Sequence, residues 1–128
     1  MQRELEELSE EYASGKLDKI KGDLEMFIKS HKAPIKQFTA QHSLNLDIGL
    51  RWYIFRKKTI NSKQENLDQI DEIQKELWYR HEEDPSKPDF AIWQDWMQKH
   101  AAGWRDHRVL QIIYVYLQDK ERYLALLG

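Results

Sequence analysis

A chain of 128 residues with 41% hydrophobic side chains has enough apolar matter for one packed core and too much for intrinsic disorder. With no cysteine, a disulfide framework and a thiolate metal site are both excluded; with five glycines and three prolines there is little punctuation for a many-turned β protein. The net charge of −2 hides an asymmetry: residues 29–63 carry eight basic side chains against the single acid Asp47, while residues 1–28 sum to −4 and residues 64–128 to −5.

In chain order, Leu5, Leu8 and Tyr12 recur at spacings of three and four and predict an amphipathic helix to Ala13. This stretch is acidic and lacks the basic and apolar regions of a signal peptide. No segment approaches the roughly 20 apolar residues of a membrane span, so a cytoplasmic protein without a membrane partner is expected. Ser14-Gly15 interrupts the pattern, and Leu17, Ile20, Leu24, Phe27 and Ile28 predict a second helix from Lys16 to Ser30, completing an N-terminal pair over residues 1–30. Pro34 should push Ala33 out of the helical region and open a short third helix through Ile35 and Phe38.

Ser43-Leu44-Asn45 reads as a turn, after which Asp47 is placed to cap a helix containing Ile48, Leu50, Trp52, Ile54 and Phe55. The whole of residues 34–58 resembles the generic helix-turn-helix stretch of bacterial regulators and transposition proteins, a likeness of about twenty residues that names no family. In it Phe38, Leu44 and Trp52 are expected to hold the helices together, and Arg51 to reach a guanine edge. Ser43 stands where glycine is common, and Gly49 where an apolar residue usually packs.

Ser62-Lys63-Gln64-Glu65 is a capping box that opens a long amphipathic helix over residues 62–84, with Leu67, Ile70, Ile73 and Leu77 on one stripe. Asp84-Pro85-Ser86-Lys87-Pro88 is a loop. Aromatic-rich helices should follow over residues 89–127. In the first, Asp89 caps, Phe90, Ile92, Trp93, Trp96 and Met97 are buried, and Gly103 stops the helix. The second starts at Val109. Its first residues are rich in β formers, yet no second strand exists to pair with them, so a buried helix through Leu127 is expected. Together with the residue 62–84 helix it should form the centre of the molecule.

These readings predict an all-α bundle of five to seven helices in one domain, 1–128, most simply a non-enzymatic binding protein. The basic block nominates Lys32, Lys36, Arg51, Arg56, Lys57 and Lys58 as contacts to nucleic acid, with nearby exposed aromatics available to stack on unpaired bases. A different class, a helical adaptor for a protein partner, would use Trp78, Tyr79 and Arg80, residue types that anchor interfaces. The five histidines lack the paired spacing of a metal site, no cofactor motif is present, and no carboxylate pair stands out as an acid and base. A long amphipathic helix with many large aromatics also suggests a homodimer.

Overall fold

In the computed structural model, which describes residues 2–86 and 88–128 and leaves the side chains of Gln2, His81 and Asp89 aside, the chain is all-α. Seven helices and no strand occur among the described residues: α1 (Gln2–Ala13), α2 (Asp18–Ser30), α3 (Lys32–Gln41), α4 (Leu46–Lys57), α5 (Ser62–Glu83), α6 (Asp89–Gln118) and α7 (Lys120–Ala125). The chain divides into two compact units, Met1–Ile60 with Arg108–Gly128, and Asn61–His107.

The first unit holds the main core. Leu17, Ile20, Leu24, Phe27 and Ile28 bury the α2 face expected from their spacing, against Ile35 of α3, Leu50 and Ile54 of α4, and Ile112, Val115 and Tyr116 of α6. The stretch rich in β formers is thus a buried helix, as its lack of a pairing strand required. Tyr123 and Leu127 complete the cluster after Gln118, where the chain breaks briefly before α7. Gly15 makes the turn between α1 and α2 at φ +84°, a region open to glycine at no steric cost. No side chain of α5 is among the members of this cluster.

Several local expectations shift by a few residues, each for a physical reason. The α2–α3 break comes at His31, which caps both helices, and Ala33 and Pro34 lie inside the first turn of α3. There the missing N–H of proline is one that no helix would satisfy, so no hydrogen bond is lost. Asn45 caps α4 in place of Asp47, its side chain accepting from the Ile48 amide at 2.9 Å. Asn61 caps α5 in place of Ser62, accepting from the Gln64 amide at 3.1 Å, while Glu65 reaches back to the Asn61 amide at 3.0 Å. Glu65 thus keeps its expected part, while the cap lies one residue upstream of the one expected. Gly103 does not stop a helix: α6 runs through it. The expected capping role of the Asp89 side chain, and Lys87 in the loop before it, lie outside the described residues.

The second unit is a hairpin of α5 and the first part of α6. Arg80 joins them, donating to Glu76 of its own helix at 2.7 Å and to Asp95 of α6 at 3.0 Å. Of the α5 stripe only Ile73 is buried; Leu77 is half-buried, and Leu67 and Ile70 are exposed. On α6 Ile92 and Trp96 are buried, but Phe90, Trp93 and Met97 are exposed. Two helices bury only the stripes they turn toward each other. Ile92 and Trp96, four apart, occupy that stripe on α6, whereas Trp93 and Met97 fall beside it.

Candidate functional site

The basic segment folds as α3 and α4 packed closely within the first unit. Their closeness has a local cause: Gly49 is buried at the crossing, and a Cβ placed on it would lie 2.7 Å from Cγ2 of Thr39. The Thr39 hydroxyl turns inward and donates to the Ile35 carbonyl at 2.8 Å, which settles its polar group in the buried contact. Gly49, at a position where an apolar residue usually packs, is therefore the contact point of the two helices. Ile35, Thr39, Leu50 and Tyr53 hold the pair together. Trp52, expected among them, is 55% exposed. Ser43 makes the intervening turn at φ +53°, the conformation that glycine would adopt more readily.

Along the outer side of this pair runs an open groove of about 550 Å³. Phe38, His42, Trp52 and Phe55 give it aromatic walls, and Arg56 and Lys58 give it positive charge. Trp52 and Phe55 meet edge to face at 5.8 Å, and Phe38 lies 4.5 Å from the His42 ring. The Arg56 guanidinium sits over the Phe38 ring at 5.9 Å, and the Lys57 ammonium over Tyr53 at 5.7 Å. Lys58 closes α4 with φ +61°.

The charges nominated from the sequence divide into two groups. Lys32, Lys36, Arg56, Lys57 and Lys58 are exposed and make no ion pair among the described residues. Arg51 is held: its Nε and Nη2 each donate to the Asp47 carboxylate at 2.9 Å. Asp47 also accepts from the Tyr116 hydroxyl at 2.7 Å and from Lys120 at 3.2 Å, contacts 69 and 73 residues away in sequence. Partial burial alone would push the Asp47 carboxyl up; the hydrogen bonds from Tyr116, Arg51 and Lys120 outweigh it and hold the group below its ordinary range. Burial first, and then donation to Asp47, raise the Tyr116 phenol well above its usual value. The one acid of the basic segment is thus spent inside the unit.

This arrangement can attract polyanions and offer flat aromatic faces. It offers little to a duplex base edge, because Arg51 is engaged and the outer face of α4 carries Trp52 and Phe55. Sequence reasoning had the aromatics and cations but missed the groove walls Phe38 and His42, whose spacing of four was their only signal. It also missed Asp47 as a hub, for which no local signal exists.

In the second unit Trp78 and Tyr79 are 61% and 62% exposed and meet edge to face at 5.1 Å. Arg80, nominated with them, is part of the hairpin's internal network. The Lys99 hydrogen bond, against some desolvation and with help from Arg80, lowers the Asp95 carboxyl. A second groove, of about 410 Å³, lies beside Trp96, His100 and Trp104. Among the described residues no three His, Asp or Glu side chains gather as a metal site, and no helix is long and apolar enough to cross a membrane. No protein family matches this chain, and no curated protein or solved structure resembles it.

Proposed function

We propose that this is a small binding protein, not an enzyme, whose α3–α4 segment engages nucleic acid through its phosphates and stacks unpaired bases on Trp52 and Phe55. One observation carries the reading: five cations, Lys32, Lys36, Arg56, Lys57 and Lys58, stand exposed without ion pairs among the described residues, while the only acid of the segment is neutralised internally. Phosphate contacts supply most of the sequence-independent affinity, and aromatic faces hold single strands with little base preference. With Arg51 engaged, its proposed contact is to a phosphate at most. The absence of cysteine suits a reducing, cytoplasmic setting, and the protein is taken to act as a homodimer.

The test is fluorescence anisotropy with a single-stranded oligonucleotide and its duplex, titrated with salt. Binding should favour the single strand and weaken steeply between about 50 and 200 mM salt. Reversing Arg56 and Lys57 to Glu should cost at least tenfold at low salt, and Trp52→Ala should reduce the preference for the single strand. No binding of either probe at low salt ends the proposal.

A second reading, an adaptor for another protein, is favoured by the exposure of Trp78 and Tyr79. Loss of a defined complex on Trp78→Ala, with the fold retained, would support it.

A further inference from the structure

The α5–α6 hairpin of the second unit turns polar groups inward. The α5 side chains withdrawn from solvent are Gln64, Glu65, Asp68, Gln69, Ile73, Glu76, Leu77 and Arg80, and among them only Ile73, which is buried, and Leu77, which is half-buried, are apolar. From the described part of α6 in this unit, Ile92 and Trp96 are the buried apolar partners. Three buried apolar side chains are few for a helix pair of this length, since short segments are stabilised mainly by the apolar surface they cover.

The apolar side chains lie elsewhere. Leu67, Ile70 and Trp78 on α5 are 48%, 47% and 61% exposed, and Phe90, Trp93 and Met97 on α6 are 70%, 45% and 38% exposed. On each helix this stripe sits about a third of a turn from the residues facing the neighbouring helix. Because the two helices run antiparallel, a clockwise displacement on one and its equivalent on the other fall on the same side of the hairpin. The six side chains therefore form one apolar face.

We infer that a second copy of this chain covers that face, two hairpins pairing about a two-fold axis through the middle of α5. The six side chains expose roughly 700 Å² together, close to the ~800 Å² per partner of a standard stable interface. The ends of α5 are also complementary under such an axis. Lys63 near its start and Glu82 near its end are exposed and make no ion pair among the described residues. The two-fold sets Lys63 of one copy toward Glu82 of the other and Leu67 toward Trp78, so the same patch serves both copies. This inference rests on the dimeric part of the functional reading and is independent of nucleic-acid binding.

Light scattering on the full chain, with the double substitution Ile70→Glu and Trp93→Glu, tests it. The wild-type chain should be a dimer at micromolar concentration, and the variant a monomer with unchanged far-ultraviolet circular dichroism. Since the chain has no cysteine, Gln74→Cys, at an exposed position within the stripe, gives a second readout that needs no destabilising change. A short bismaleimide should link two copies through it, and should not do so through Glu72→Cys on the other side of α5. A monomeric wild type overturns both the dimer and its face. A dimer that survives the double substitution, or equal linking through both cysteines, overturns the face alone.

Discussion

Asp47 shows how one side chain can serve a fold that its sequence neighbourhood does not describe. It was expected to cap α4; instead it gathers Arg51, Tyr116 and Lys120, so that α4, α6 and α7 are tied through one carboxylate. Asp47→Ala would leave the Tyr116 hydroxyl and part of the Arg51 guanidinium without their acceptor, at a cost of about 2–3 kcal/mol. The sign of the pH dependence follows from the direction of the shift. A carboxyl held below its unfolded value contributes stability that is fully present above about pH 4 and is lost as pH falls through the lower folded value. Thermal melts of the wild type should therefore lose stability on acidification below about pH 4. Asp47→Asn should be less stable at neutral pH, and its deficit should shrink on the same acidification; a deficit constant with pH would refute the assignment. Nothing in the sequence near position 47 could have shown this, because two of the three donors come from the far end of the chain.

At the scale of helices, spacing was a good guide to which segments are helical and a poorer guide to what their faces meet. The bounds of α5 fall within one residue of those predicted from its pattern, and α2 buries its expected stripe, because local propensity and core contact agree there. The exposed side of α5 departs from prediction because an apolar stripe specifies a need for cover without saying what supplies it. Glycines separate the two cases. Gly49 and Gly103 are both interior to helices and look alike in sequence, yet a Cβ at Gly49 meets Thr39 and one at Gly103 meets nothing within 4 Å. Gly49→Ala should destabilise by about 1–3 kcal/mol through overpacking of the α3–α4 crossing. Gly103→Ala should stabilise by up to about 1 kcal/mol through helix propensity. Denaturant midpoints of the two variants check both signs, and a stabilising Gly49→Ala would mean that the helices do not approach so closely.

The whole chain is unevenly provisioned. The first unit contains a cluster of fourteen buried hydrophobic residues, whereas the buried hydrophobics of the hairpin's described residues are Ile73, Ile92 and Trp96. Unfolding should accordingly depart from two-state behaviour, the hairpin losing structure at lower denaturant than the remainder. Tryptophan emission and far-ultraviolet circular dichroism should then give transitions that do not coincide; superimposable curves would show that the units melt together. The candidate site was legible as composition: the block of positive charge and its aromatics are plain in residues 29–63. Its selection among them was not, since only three-dimensional packing removes Arg51 from the exposed set and leaves Arg56 and Lys58 at the groove.

The placement of the indoles gives the molecule an optical division of labour. Trp52 is the sole tryptophan of the first unit and stands in the groove, while Trp78, Trp93, Trp96 and Trp104 all belong to the hairpin. Replacing those four with phenylalanine leaves a single emitter whose quenching by a stacked base reads groove occupancy alone. Conversely, Trp52→Phe makes the remaining emission a report on the hairpin, shifting to the blue as its apolar face leaves water.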